Sequence, residues 1–287
     1  MTTTSLTLTP DQQLIRDSAE TFLSDVSDSA AVRRAMETGA GFDVEVWQRI
    51  AGELGWCGIA VQESLGGLGL GATELALVFE QAGRRLLCSP LFATVGLAAP
   101  LLQAAAGRDD DSAAAAAWLR RIASGELRLG VNLPSHPDWR GPEAGRVHAH
   151  RIEDGSGWRL DGELSAVVDG ASAGALVILA QTVDATGLFA VDCGETSPGL
   201  EIVPLTTWDR GRRLARVRLQ GVRAQERLDT GAGLSEHVLR NAAAHARVVL
   251  AAEQLGNAQA CLDLTVAHAA ERKQFGRPIA GFQAVKH

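Results

Sequence analysis

Few cysteines, no lysine-rich run and no long apolar run narrow this sequence before any motif is read. The four cysteines, Cys57, Cys88, Cys193 and Cys261, are scattered and form no C-x-x-C pair, so a disulfide frame or a cysteine metal site has no support. They read as buried thiols in a reducing cytoplasm. Net charge is −7, and the densest basic patch is Arg210, Arg212 and Arg213. That patch reads as a solvated turn, and the overall acidity argues against a nucleic-acid partner. No apolar stretch approaches the ~20 residues of a membrane span, Ser89 to Leu102 being too short, so no span is expected. Met1 to Pro10 lacks basic residues ahead of an apolar core, which does not fit a secretory signal; a cytoplasmic location is expected. No serine sits in a G-x-S-x-G elbow, so a hydrolase triad is unsupported. His148 and His150 share a strand face without a third ligand nearby. His136, His237, His245 and His268 show no H-E-x-x-H or Cys/His spacing, and no metal is expected.

What is present is the composition of a globular protein: 287 residues, 46% hydrophobic and 21% charged, enough for one large domain or two to three small ones. Thr9-Pro10-Asp11 starts a helix through about Val26, with Leu14, Ala19, Phe22 and Leu23 inward. Further helices are predicted over Val44–Leu54, Ala72–Leu86, Pro90–Ala106 and Ser112–Ser124. Between the second and third lies a glycine cluster, Gly66 to Gly71. Gly67-x-Gly69-x-x-Ala72 satisfies a dinucleotide fingerprint, but no second βαβ unit with its terminal acid follows, so a loop between helices is the better account.

From about Leu127 the texture changes. Val147–Ile152 alternates with period two, and Asp154-Gly155 and Asp161-Gly162 read as hairpin turns. Short apolar runs at Leu176–Ala180, Leu188–Val191, Leu200–Leu205 and Leu214–Leu219 suggest an antiparallel barrel or sandwich. From Leu234 to Phe275 there is no proline and one glycine, Gly256. Good helix formers dominate, predicting one helix of about 40 residues, roughly 60 Å long. Its middle, Ala242–Ala252, is apolar on nearly every side, and a second stripe runs through Val248, Ala252, Leu255, Leu262, Val266 and Ala269. Such a helix wants helical neighbours. Gly276 and Pro278 are expected to stop it. The fold class is therefore α+β: an N-terminal helical domain (1–126), a central antiparallel β-domain (127–232), and the first long helix of a C-terminal bundle (233–287).

The segment Glu271 to His287 contains Arg272-x-Gln274-Phe275-Gly276 and then Phe282-Gln283. In this it resembles the acyl-CoA dehydrogenase family, whose signature is R-x-Q-F-G followed by F-Q. Gln62-Glu63-Ser-Leu-Gly-Gly-Leu-Gly69 is similar to the family's P-E-x-x-G-G-x-G loop, with Gln62 for the proline. The resemblance covers essentially the whole chain but only the first two-thirds to three-quarters of the usual architecture. It implies FAD as cofactor and an acyl-CoA thioester as substrate, oxidised to the 2-enoyl-CoA. It also implies an electron-transfer flavoprotein as acceptor, and a homo- or hetero-oligomer. Residues matching Arg272 and Gln283 contact the FAD of the neighbouring subunit in the family. Arg272, Gln274, Phe275 and Gln283 are accordingly the candidate cofactor-binding residues; a guanidinium binds phosphate oxygens bidentately.

Elsewhere the family's pattern is degraded. Its T-E-P-x-x-G-S-D loop is replaced by Val131-Asn-Leu-Pro-Ser-His-Pro-Asp-Trp-Arg140. Its W-I-T-N stretch, which packs on the flavin, is Ala166-Val-Val-Asp169; alanine cannot cover a ring and Val168 cannot donate a hydrogen bond. A D-L-E-R run that carries the base in some members is Ala244-His-Ala-Arg247, which keeps only Arg247, the candidate substrate contact. No catalytic base can be named, since Glu253 and Glu63 both read as structural. Groups for the chain's own flavin are thus lost, and groups reaching a partner's flavin are kept. The expected function is a partner subunit in a heteromeric acyl-CoA dehydrogenase. The rival readings are a self-sufficient homomeric enzyme clipped at His287 and a non-enzymatic scaffold.

Overall fold

The structure is a computed structural model that describes residues 7–107, 112–132, 147–194 and 197–287. The first helix, α1 (Pro10–Val26), starts as the sequence predicts. Thr9 and Gln12 bond each other's backbone N–H groups at 3.2 and 3.0 Å, a reciprocal cap behind a first-turn proline. Its buried face is Ala19, Phe22 and Leu23, joined by the partly buried Ile15. Leu14, expected inside, is 71% exposed, because the i, i+4, i+7 stripe runs through Ile15 and leaves Leu14 beside it. A helix absent from the sequence reading follows: α2 (Ser29–Glu37), capped by Asp28. Then come α3 (Val44–Gln48), continued by a wider helical turn over Arg49–Glu53, and α4 (Ala72–Arg84). A helical run over Phe92–Ala98 leads into α5 (Ala99–Ala106), and α6 (Ala113–Ala123) ends this helical part.

Among the described residues, eight strands form one mixed sheet: β1 (Leu129–Val131), β2 (Val147–Arg151), β3 (Trp158–Val168), β4 (Ala175–Gln181), β5 (Thr186–Asp192), β6 (Leu200–Pro204), β7 (Leu214–Arg223) and β8 (Glu226–Arg227). The order is β6-β7-β3-β1-β4-β5-β8, with β2 also pairing β3 and β4. Most pairings are antiparallel as expected, while β1–β4 and β2–β4 are parallel. Asp161-Gly162 is no turn: it lies within β3, where Gly162 opposes Val147 and Leu219 at a register shift. The Asp161 carboxylate is spent on the Gly221 N–H at 2.7 Å. Alternate residues of β4 divide between two cores, the strand period at work. Val177 and Leu179 pack with the helices, Leu176 and Ile178 within the sheet's own cluster. Polar ties fasten sheet to helices: the Leu129 N–H donates to Thr94 Oγ1 (3.1 Å), and Trp118 Nε1 donates to Glu226 (3.0 Å).

Ser235 caps α7 (Glu236–Glu271), 36 residues long. It crosses α4 where each helix carries a glycine. A Cβ on Gly83 would stand 1.9 Å from the Glu253 carbonyl oxygen, and one on Gly256 would stand 1.7 Å from that of Glu80. The contact is therefore backbone to backbone and admits no side chain. The buried face of α7 is Leu239, Ala242, Ala243, Ala246, Val249 and Gly256. The second stripe faces outward among the described residues: Val248, Leu255, Leu262 and Val266 are exposed. No helix of the described residues is long and apolar enough to cross a membrane.

Candidate functional site

The helix stops earlier than Gly276. Arg272 leaves helical geometry (φ −66°, ψ 118°) while its N–H still donates to the His268 carbonyl. The chain then folds into a small hairpin, β9 (Lys273–Gln274) against β10 (Arg277–Pro278). Its two central residues, Phe275 (φ 52°) and Gly276 (φ 79°), both have positive φ, the geometry two-residue hairpins favour. The glycine thus makes a turn instead of a helix cap. The Ile279 N–H donates to the Arg272 carbonyl at 2.9 Å, closing the knob, and α8 (Gln283–Lys286) follows. Phe275 and Phe282 meet edge to face at 6.4 Å, and the Arg277 guanidinium lies 3.9 Å from the Phe282 ring centre.

This knob gathers four of the sequence candidates. Arg272, Gln274, Phe275 and Gln283 are all exposed, Phe275 at 94%. Arg272 has no carboxylate partner among the described residues. A free guanidinium fork, an aromatic face and two amides in one protrusion suit an anionic, planar partner. Arg247 is exposed too, but it stands 25 residues back along the helix, roughly 38 Å away at the helical rise. It belongs to a different surface.

The positions that resemble the family's own-flavin contacts look different. Of the 131–140 loop only Val131 and Asn132 lie within the described residues, and His136 lies outside them. At the end of β3, Ala166 and Val168 are half-buried and Asp169 is buried, with φ 55° and its N–H donating to the Arg213 carbonyl. Burial pushes the Asp169 carboxyl up to about 7, against the opposing pull of the Arg212 charge and of the Arg213 and Ala93 backbone. Its Oδ2 has no hydrogen-bond partner.

Of the arginines beside it, Arg210 is exposed as the sequence reading has it, while Arg212 and Arg213 are half-buried. Arg212 donates to both carboxylate oxygens of Glu253 on α7, at 2.6 and 2.5 Å, and lies 4.1 Å from the Phe92 ring centre. Arg210 and Arg213 reach the carbonyls that end α2: both donate to Met36, and Arg213 also to Thr38. These contacts span 41 to 177 residues of sequence, which is why no local pattern announced them. A strand end, an arginine loop and α7 thus meet in one ionic cluster, where Glu253 is paired with Arg212. Ala244 is exposed on α7, and His245 beside it is held below its ordinary pKa by burial.

Cys57 and Cys88 are buried, Cys193 is half-buried and Cys261 is exposed, so the buried-thiol expectation fails at Cys261. Burial pushes Cys57 and Cys193 up to about 12, away from reactivity. Among the described residues, no group of three or more His, Cys, Asp or Glu could hold a metal ion.

A helical layer, a mixed sheet and a long helix ending in this knob define a class of flavoenzyme, and sequence comparison gives the same class. Residues 9–126 match the N-terminal domain of acyl-CoA dehydrogenases and residues 236–287 the C-terminal domain. The chain belongs to the acyl-CoA dehydrogenase family, FAD-dependent oxidoreductases acting on CH–CH bonds. It is 30% identical over 277 residues to acyl-CoA dehydrogenase IpdE2 of Mycobacterium tuberculosis, an alignment covering 96% of this chain and 69% of the relative. Among solved structures it resembles the ChsE4-ChsE5 complex from Mycobacterium tuberculosis, at 28% identity and a TM-score of 0.81, covering 98% of this chain and 72% of that one. The Tcur3481-Tcur3483 steroid ACAD variant is similar at 29% identity and 0.78, covering 96% and 71%.

Proposed function

We propose that this chain is the partner subunit of a heteromeric acyl-CoA dehydrogenase, supporting FAD-dependent α,β-desaturation of an acyl-CoA thioester. The observation that carries the reading is the exposed, unpaired Arg272 at the end of α7, set against the ionic cluster where the chain's own flavin contacts would stand. Ala166 and Val168 offer no ring cover and no donor, and Asp169 is buried and tied to the backbone, so these residues do not fit a flavin of the chain's own. The knob does fit one held by another polypeptide. Arg272 would take its phosphate oxygens, Gln274 and Gln283 its polar edge, and Phe275 its apolar neighbourhood. When bound there, FAD supplies a hydride acceptor. Arg247 would meet the anionic part of the acyl-CoA on a separate face. The proton from the α carbon needs a carboxylate within hydrogen-bond reach, and Ala244 and Ala246 supply none, so the base is not on this stretch of α7. The ChsE4-ChsE5 complex, which pairs two polypeptides, supports the heteromeric reading. An electron-transfer flavoprotein is the acceptor this reading implies.

The test is purification of the chain alone and together with the products of neighbouring genes, followed by flavin absorbance and desaturase turnover. The expected result is a colourless, inactive chain alone and a yellow, active complex. Stoichiometric flavin with turnover in the lone chain overturns the proposal.

A further inference from the structure

A second site lies away from both the knob and the ionic cluster, and its argument stands independently of the proposed function. Where the α1–α2 connection, the end of α4 and the outer side of α7 meet, there is a cleft of about 480 Å³. Three arginines line it: Arg33 from α2, and Arg84 and Arg85 from the end of α4. Arg84 is paired with Asp263 of α7. Arg33 and Arg85 have no ion-pair partner among the described residues. Arg85 Nε is buried without any hydrogen-bond acceptor, a rare condition for a donor that water cannot reach. Asp28 is the one acid on the wall, where one of its oxygens caps α2 through the Ala31 N–H at 2.6 Å.

Ser27 and Ser29 also line the cleft, and its apolar side is Val32, Met36, Leu86 and Leu264. Leu86 is 52% exposed and held at φ 53°, and Leu264 is 71% exposed. Concave, largely apolar walls with a few convergent polar groups characterise small-molecule sites. Guanidinium groups select oxyanions, which they bind bidentately.

We propose that this cleft binds an anionic amphiphile, a carboxylate or phosphate group on an alkyl chain. The oxyanion sits between the Arg33 and Arg85 guanidinium groups, neither of which has an ion-pair partner among the described residues. The alkyl chain lies along Met36, Leu86 and Leu264. An inorganic anion leaves the apolar wall wet, and an uncharged alcohol leaves the guanidinium groups unpaired.

Calorimetric titration of the full chain, in the assembly in which it purifies, decides this. The probes are decyl phosphate, decanoate, decanol and inorganic phosphate, each below its micellar concentration. The expected result is one saturable site for decyl phosphate or decanoate, at least about tenfold tighter than for decanol or inorganic phosphate. Whichever acid binds tighter identifies the head group. Arg85→Gln should weaken that binding about tenfold, and Arg33→Gln should do the same from an exposed position where folding is not at stake. Leu264→Asp should bring decanoate down to the level of a short carboxylate. Equal binding of decanol, indifference to both arginine substitutions, or no saturable binding overturns the proposal.

Discussion

Arg212 and Arg272 carry the same group to opposite uses. Arg212 leaves the sheet between β6 and β7 and is consumed internally: two bonds to Glu253, a ring face at Phe92, and Asp169 within its field. Arg272 leaves the end of α7, where the backbone turns into a tight hairpin, and no carboxylate among the described residues answers it. One cation closes a junction; the other is presented. A chain that held its own flavin would need the first region open, and a chain that only scaffolded would have no need to keep the second unpaired. Together they are what the proposed partner subunit calls for: one half of a shared site closed and the other half presented.

The largest expected effect breaks the junction side. The Asp169 carboxyl is raised to about 7 from an ordinary 3.8, so the fold prefers its neutral form. Its contribution to stability is whole below the ordinary value and is lost as pH rises through about 7. A displacement of that size corresponds to about 4 kcal/mol across the window. Asp169→Asn, which tolerates the same positive φ, should leave urea stability at pH 4 nearly unchanged and raise it at pH 8. A parallel pH dependence in wild type and variant would show that Asp169 does not carry it.

Next comes the crossing that holds α7 in place. Gly256→Ala gains helix propensity of about 1 kcal/mol but drives a methyl into the Glu80 carbonyl, so a net loss of about 3 kcal/mol is expected in thermal or urea melts. Glu253→Ala should cost about 2 kcal/mol, less than a fully buried pair, because the two side chains keep 26% and 22% of their exposure. On the knob the same measurement should barely move: Arg272→Ala and Phe275→Ala alter stability by less than about 0.5 kcal/mol. The comparison sharpens if those two variants leave the melt alone and change only what the assembly binds.

Much of this fold could be read in order along the chain. The helix start at Thr9-Pro10-Asp11, the helix starting at Ala72, the alternating run at Val147 and the short apolar runs on to Leu219 all carry local signals, and local chemistry made them. What could not be read was decided by distant partners. Asp161-Gly162 has the composition of a hairpin turn, but its carboxylate bonds Gly221, sixty residues away, and the strand continues. The nine residues of α2, Ser29–Glu37, gave no periodicity long enough to mark it. Gly276 reads as a helix cap by composition, yet Phe275 accepts the left-handed region too and the pair forms a β-turn. At the site, the residues of the knob were legible because they are contiguous, from Arg272 to Gln283. The Asp169–Arg212–Glu253 cluster was not, because its members come from a strand end, a loop and a helix.

The most direct test of the central claim is the flavin content of the co-purified complex carrying Arg272→Ala in this chain alone. Flavin per complex should fall well below the wild-type ratio, with the subunits still associated and the melting temperature unchanged. A fully loaded, fully active complex from that variant would contradict the account, because the presented guanidinium would then be answering nothing.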